Sequence, residues 1–585
     1  MVFYPPAWVP QLPFDPPDSI SIEEFMTNEQ YGRASASNSL NPFTCGLTGR
    51  TYTNAEASAR TDRIARALAG RLGWRPRGGG TAWDKVVAIF SANAVDYRSV
   101  LHAVHRLDGI ATPANAAYSV QELTHQLAAS GAKALVTCAP LLETALAAAQ
   151  AAGIARDRVF VMWVPGTPEA RQQLQGLVTV DDLVDEGARL PELERVAWPR
   201  GQGARQPAFL CFSSGTSGLP KAVMISHRNV IANVMQFTAH DSVAAERRGG
   251  LGRQATLGLL PFSHIYALVV IVHAGTYRGD GVVTLPKFEL GSFLEAIQRF
   301  KISQLYVVPP IIIQLTRNAD KCKKYDLSSV RCVFSGAAPL GEETVANLKS
   351  IYPHWLVTQG YGMTETSTVV CSTSEHDIVT RSSGSLVAMT KAKLMDEHGN
   401  EVTALDTPGE LYVQSPSVTL GYLNNEKATA ETFVHHDDGR WIRTGDEVLV
   451  TLSPAGHEHF VVVDRIKELI KVKGHQVAPA ELEAHLLTHP FVEDCSVIQV
   501  PDDRAGEVPK AFVVRSAAAR AAPGGDVEVV RAVEKHVEEH KAPYKWLKGG
   551  VEFVDEIPKS PSGKILRRLL RDREKEKRRA QGSKM

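Results

Sequence analysis

Apolar positions fall into two alternating patterns along this chain. Ala-rich stretches with helical spacing, such as Asn54 to Leu72 and Leu141 to Ala152, alternate with short β-branched runs, such as Lys85 to Phe90 and Leu135 to Thr137. Helices alternating with continuously apolar strands predict an α/β body whose parallel strands are buried on both faces. Between Thr403 and Thr451 the pattern changes. Glu410 to Val413 and Val448 to Thr451 read as short strands broken by Pro, Gly and Asp, which predicts a small antiparallel or barrel-like segment. From Arg465 a second unit of about 120 residues can be drawn, an ordinary domain size. In it Val497 to Val500, Ala511 to Val514 and Val551 to Val554 read as strands. Asp526 is expected to cap a helix carrying Val530, Val533 and Val537 on one face. A last helix is expected to carry Ile565, Leu566, Leu569 and Leu570 as an apolar stripe. The fold expectation is therefore α/β, with a large N-terminal domain of mixed sheets, helices and a small β-barrel over residues 1–464, and a small α+β C-terminal domain over 465–585.

Composition narrows the function class. The 585 residues hold 64 Lys+Arg against 64 Asp+Glu, so a uniformly basic nucleic-acid binder is excluded, and 44% apolar content excludes a mainly disordered chain. Seven scattered cysteines with no C-x-x-C pair suit a reducing compartment rather than a disulfide framework. Pro5, Pro6 and Pro10 stand where a secretory signal would need a basic and then an apolar stretch. The longest apolar runs, Ala267 to Val272 and Val307 to Ile313, fall far short of the roughly 18 residues of a membrane span, so no transmembrane segment is expected. A soluble enzyme is the reading these leave.

Three segments carry candidate chemistry. Ser213-Ser214-Gly215-Thr216-Ser217-Gly218-Leu219-Pro220-Lys221 joins two apolar strands, and its glycines, hydroxyls and closing lysine suit phosphate oxygens. It is not a Walker loop, because the lysine follows Gly-Leu-Pro and no helix starts there. Gln359-Gly360-Tyr361-Gly362-Met363-Thr364-Glu365 adds an aromatic that can stack on a base and an acid that can hold Mg²⁺ on phosphates. Trp441-Ile442-Arg443-Thr444-Gly445-Asp446 places a carboxylate just after a glycine turn, where it can accept two ribose hydroxyls.

These segments occur in order with Asp464-Arg465-Ile466-Lys467-Glu468-Leu469-Ile470-Lys471 and Pro558-Lys559-Ser560-Pro561-Ser562-Gly563-Lys564. As a set they resemble the core motifs of the acyl-adenylate-forming superfamily: acyl-CoA synthetases, 4-coumarate–CoA ligases, beetle luciferases and peptide-synthetase adenylation domains. Leu260 to Tyr266 and Lys473 to Glu483 are similar to the 4-coumarate–CoA ligase-like branch. The resemblance implies an ATP-dependent carboxylic acid–CoA ligase that forms an acyl-adenylate and then a thioester, with ATP, Mg²⁺ and CoA and a C-terminal domain that moves about a hinge near Asp464, while the apolar, partly β-branched residues at its acyl positions favour a small aryl or medium-chain acid over a charged one. It implies that Ser213, Ser214, Gly215, Thr216, Ser217, Gly218 and Lys221 hold phosphates and Glu365 holds Mg²⁺. Ala337, Gln359, Gly360 and Thr364 would line the adenine and α-phosphate, and Asp446 and Arg465 the ribose, with Lys467, Lys471 and Gln476 joining the nucleotide set. Lys564 would be the catalytic lysine, His264 would lie near the acid's carboxylate, Tyr266, Val270, Val369 and Val370 would form the acyl pocket, and Lys287, Lys473 and Gly474 would contact CoA.

The chain departs from the family pattern at Ala222, where Gly is usual, at His475, where an aromatic is usual, and in a longer stretch between Asp446 and Arg465. A luciferase-like oxygenase, a carrier-feeding adenylating enzyme and a nucleotide-binding scaffold are the alternatives. Ser583-Lys584-Met585 resembles the S-K-L address and implies a peroxisomal import receptor as partner, with a cytoplasmic location if it is not read.

Overall fold

The computed structural model describes all residues except 79, 168–173, 175, 214–219, 248–252, 474, 503, 561–562 and 583–585. Ser214, Gly215, Thr216, Ser217, Gly218, Gly474 and the tripeptide Ser583-Lys584-Met585 therefore lie outside the described residues.

Two large sheets build the body. The first runs Gly421–Tyr422, Lys221–Ser226, Pro207–Ser213, Ile110–Ala114, Val86–Phe90, Ala134–Cys138, Val159–Met162, Val178–Thr179. Its centre is parallel and buried on both faces, as the continuous apolar runs require. The second has nine strands and includes Thr368–Ser372, Leu356–Met363, Cys332–Ser335, Gln304–Val307 and Ala255–Gly258 as neighbours in that order. The helix His227–Arg247 packs on both sheets and on Ala267–Gly275. The helices expected at Asn54 to Leu72 and Leu141 to Ala152 are found at Asn54–Leu72 and Leu142–Ala151. The first starts on a capping box between Thr53 and Glu56 and stops at Gly73, whose φ of 71° lies in the left-handed region.

The region after Thr390 is a six-stranded antiparallel sheet whose pairings leave its ends open among the described residues. Val448 to Thr451 is not a separate short strand. It belongs to Gly439–Leu452, fourteen residues long, which pairs with Gly409–Gln414, Phe433–His436 and Glu458–Arg465. Gly445, at φ 72°, sits inside this strand, so Asp446 stands on a strand and does not follow a hairpin turn.

A separate apolar core draws its residues from Ile470 to Leu570, while the body's main core ends at Phe460. This cap holds the antiparallel pair Val492–Asp502 and Gly506–Arg515, with Val551–Phe553 added in parallel. Its helix Gly525–His540 buries Val529, Val533 and Val537, a strict i, i+4 row in which Val529 takes the place expected of Val530. Asp526 is no cap, because it lies inside the first turn and pairs with Arg515. The final helix begins only at Arg567, and Leu570 is buried whereas Leu569 is exposed, so the expected stripe is incomplete.

All seven cysteines are free and buried. Among the described residues no helix is long and apolar enough to cross a membrane.

Candidate active site

Ser213 and Lys221 face each other in cross-strand register, where Pro207–Ser213 pairs antiparallel with Lys221–Ser226. The Lys221 ammonium lies 5.0 Å from the Tyr422 ring centre. Glu365, buried in a short turn after Leu356–Met363, accepts hydrogen bonds on the same oxygen, Oε1, from Ser213 Oγ at 3.2 Å and Tyr422 OH at 2.9 Å. Tyr422 has no motif signal, since only its two-residue strand beside Lys221–Ser226 brings it to Glu365.

The strand Leu356–Met363 changes partner along its length. It pairs in parallel with Cys332–Ser335, then antiparallel with Thr368–Ser372, where a bulge at Tyr361/Gly362 leaves Val370 as the extra residue. Close approach explains the glycines. A Cβ on Gly362 would lie 1.4 Å from the Thr368 carbonyl oxygen, and one on Gly360 2.4 Å from Phe334 Cζ. Thr368 itself is held at φ 106°, a conformation costly for a β-branched residue, with its hydroxyl bonded to the Ile265 carbonyl at 2.9 Å. Gln359 is spent on the frame: Oε1 accepts from Leu340 N at 3.2 Å and Nε2 donates to the Thr380 carbonyl at 2.6 Å. Ala337 stands exposed in the left-handed region at φ 67°, and Thr364 is half-buried beside Glu365.

Asp446 and Arg465 are register partners on adjacent strands, with Arg465 Nε 3.6 Å from Asp446 Oδ1. Tyr361 OH donates to Asp446 Oδ2 at 2.6 Å, so its phenol braces a carboxylate in addition to offering a ring. Burial raises the Asp446 carboxyl above its ordinary range, and Arg465 pulls it back down.

The cap delivers Lys564 to this group. In its loop Ser560 N donates to the Lys564 carbonyl at 2.7 Å and Gly563 N to the Ser560 carbonyl at 2.8 Å. Gly563, at φ 81°, passes so near the body that a Cβ would meet Val308 Cγ2 at 3.0 Å. Burial lowers the Lys564 ammonium to about 8. Arg465 pushes the same way, and Glu468, Asp446 and Glu365 oppose both. Burial and the positive charge of Lys564 depress His264 to about 4, so its imidazole is neutral at pH 7. His264 Nδ1 accepts from Tyr266 N at 3.3 Å.

Tyr266 OH donates to the Phe334 carbonyl at 3.2 Å, and the rings of Tyr266, Tyr306 and Phe334 contact one another with centroids 5.7 to 6.4 Å apart. Tyr306 and Phe334 carry no motif of their own and join the cluster through their strands. Val270, Val369 and Val370 belong to the same core as Tyr266. Val270 lies in the wholly buried π-helix Ala267–Gly275, and the Val369 main chain is clamped by Asn233 at 3.0 and 2.8 Å.

Other sequence-chosen residues stand apart. Lys467, Lys471, Lys473 and Gln476 are exposed on the cap, and Lys287 is exposed on the body. None of them is among the charges that shift Lys564. His475 stacks on Tyr544 with centroids 4.4 Å apart.

Buried charged groups lie where the body meets the cap. Asp464 accepts from Arg465 N at 2.7 Å and from Ala480 N at 3.0 Å, tying the last body strand to the first cap helix, Pro479–Leu486. Burial lifts its carboxyl to about 6. Arg567, three residues beyond Lys564, joins Glu468 and Glu483 in a buried ion network.

Residues 29–423 match the family described as AMP-binding enzyme, and residues 481–564 match the AMP-binding enzyme C-terminal domain. The chain belongs to the AMP-binding enzyme family. This AMP-binding enzyme is 41% identical over 579 residues to acyl-CoA ligase AFT1-1 of Alternaria alternata, covering 98% of this chain and 97% of that one. It is 37% identical over 590 residues to acyl-CoA ligase cm3C of Cordyceps militaris, covering 98% and 90%. Its fold is similar to the crystal structure of the anthranilate CoA ligase AuaEII in complex with anthranoyl-AMP, with a TM-score of 0.79, 23% identity, and coverage of 95% and 97%.

Proposed function

We propose that this AMP-binding enzyme joins a carboxylic acid to the thiol of coenzyme A, as an AMP-forming acid–thiol ligase, and that residues 1–464 form its adenylating body and 465–585 its cap. The observation that carries this reading is the convergence of Lys564, from the cap, on Glu365, Asp446, Arg465 and His264 of the body. A positive charge poised above carboxylates is what an attack of one anion on another needs.

In the first half-reaction a carboxylate oxygen attacks the α-phosphorus of ATP and pyrophosphate leaves. The loop 213–221 cradles the β- and γ-phosphates, Lys564 spans the acyl carboxylate and the α-phosphate, and neutral His264 orients the acid. Asp446 and Arg465 take the ribose, and Ala337, Gly360 and Thr364 face the adenine and α-phosphate. In the second half-reaction the cap turns about Asp464 and Arg465, withdraws Lys564 and brings Lys473 and Gly474 toward CoA, with Lys287 on the body side. The thiolate sulfur then attacks the acyl carbonyl and AMP leaves.

The residues present fit Mg²⁺. Glu365 and Ser213 offer only hard oxygen donors, and Glu365 has one oxygen already oriented by two hydroxyls. Glu365 would hold the ion, which when bound offsets the charge on the phosphate oxygens. The aromatic wall of Tyr266, Tyr306 and Phe334 supports an aryl or medium-chain acid over a charged one.

Pyrophosphate release over a panel of aryl, medium-chain and long-chain acids tests both activity and acid class; an acid that drives it without yielding a CoA thioester overturns the ligase reading. With the best acid, kcat/KM for adenylation is expected to fall on the alkaline side with an apparent pKa near 8. The sign follows from the depressed ammonium, which is charged below about 8 and neutral above it. A Lys564→Arg variant should lose this limb. For location, a fluorescent fusion with Ser583-Lys584-Met585 at its C-terminus is expected in peroxisomes, and one without it in the cytosol; identical distributions remove the targeting reading.

A further inference from the structure

The cap carries a histidine cluster that this chemistry does not use. His485 lies on the helix Pro479–Leu486, and His536 and His540 stand one turn apart on the facing helix Gly525–His540. One ring nitrogen from each lies within 4.8 Å of the others. The His485 and His536 rings stack with centroids 4.1 Å apart and 3° between planes, and His540 approaches them at 5.2 and 5.1 Å.

The hydrogen bonds set the tautomers. His485 Nε2 bonds the His536 carbonyl at 3.1 Å, His536 Nε2 the His485 carbonyl at 3.3 Å, and His540 Nδ1 the His536 carbonyl at 2.8 Å. A carbonyl only accepts, so each of these nitrogens carries the proton and the other nitrogen of each neutral ring keeps a lone pair. Thr488 strengthens the assignment. Its hydroxyl donates to the His485 carbonyl at 2.7 Å, so it receives from His536 Nε2 at 3.0 Å. An imidazole whose far N–H is held by a carbonyl is the arrangement found around metal-binding histidines. His489 differs, because its Nδ1 lone pair is taken by Phe491 N at 3.1 Å.

We propose that His485, His536 and His540 form a binding site for a divalent transition-metal ion of the zinc type, distinct from the magnesium position at Glu365. Imidazole nitrogens without a carboxylate select such ions over magnesium or calcium, which require oxygen. Burial, with the neighbouring imidazoles adding to it, lowers the His485 and His536 imidazoles below their ordinary range. The adjacent Lys541 ammonium is partly neutralised by Glu481 at 3.2 Å, and Glu539 lies close enough to His536 to favour a cation. His540 is exposed, which gives the ion a way in and leaves a fourth position for water. Metal–nitrogen bonds of about 2.0–2.1 Å require the three rings to turn inward from their stacked positions. The ion would then pin Pro479–Leu486 to Gly525–His540. The first of these helices also meets the body, since a Cβ on Gly341 would lie 3.0 Å from Ala484 Cβ.

The test uses the full chain without a polyhistidine tag, freed of metals by a chelator and titrated with Co²⁺ and then Zn²⁺, by calorimetry and visible absorption. About one equivalent is expected to bind, with visible Co²⁺ bands, and His540→Ala and His536→Gln should each weaken binding by about tenfold or more. His540→Ala changes an exposed side chain, so its fold, checked by circular dichroism, should be intact. Absence of saturable binding by either ion, or binding unchanged in both variants, overturns the site.

Discussion

Lys564→Ala is expected to slow acyl-adenylate formation by about 10²-fold or more, while thioester formation from supplied acyl-adenylate remains close to that of the parent enzyme. The asymmetry follows from geometry. Lys564 projects from a turn stapled by its own main-chain bonds and packed against Val308 and Pro310, so removing the side chain beyond Cβ leaves the loop in place. What is lost is a charge between two anions, which matters most when charge is redistributed in the transition state. The thioester step has no such encounter, because the phosphate has already been joined to the acid. Pyrophosphate exchange and single-turnover thiol transfer measure the two steps separately. An equal loss in both would make Lys564 a structural residue.

Arg567→Ala is expected to destabilise the cap by about 3–5 kcal/mol, seen as an early transition in urea unfolding and as faster proteolysis of residues beyond 465. Its guanidinium is the shared partner of Glu468 and Glu483, both buried, and Glu483 also accepts from Val497 N at 2.8 Å. Without it two carboxylates stand in a low-dielectric core, and repulsion adds to their desolvation. Because Arg567 lies three residues beyond Lys564 in the same loop-to-helix segment, adenylation should fall as well. Arg567→Lys should recover only part of the loss, since an ammonium cannot bond two carboxylates with a planar fork. A cap transition within about 0.5 kcal/mol of the parent would mean the network contributes nothing net.

The order of motifs along the chain already gave the architecture, because each motif is a contiguous run joining strand to loop. Contacts set by register were not legible in the same way. Glu365 and Ser213 could both be picked out, but their common partner Tyr422 comes from a two-residue strand that no pattern marks. Asp446 was found by type, yet its neighbours were misjudged, because Gly445 reads as a turn in sequence and is only a positive-φ step within a fourteen-residue strand. Val530 and Val529 are equally apolar, and which of them faces inward depends on where the helix begins, at Gly525 rather than at a cap formed by Asp526. Lys471, Lys473 and Gln476 are exposed on a cap hairpin, where Lys471 faces Gln476 in register, and their sequence gives no sign of this.

The burial of Lys564 also bears on the timing of the cycle. Lowering an ammonium from 10.5 to about 8 means that docking the cap in the absence of nucleotide costs on the order of 3 kcal/mol at neutral pH. In the proposed reaction the phosphates of ATP would offset that penalty, so bound nucleotide is expected to strengthen docking of the cap. Departure of pyrophosphate would take much of the compensating negative charge with it and is expected to weaken that docking again. Solvation of one side chain is thereby expected to couple the position of the cap to the stage of the proposed reaction.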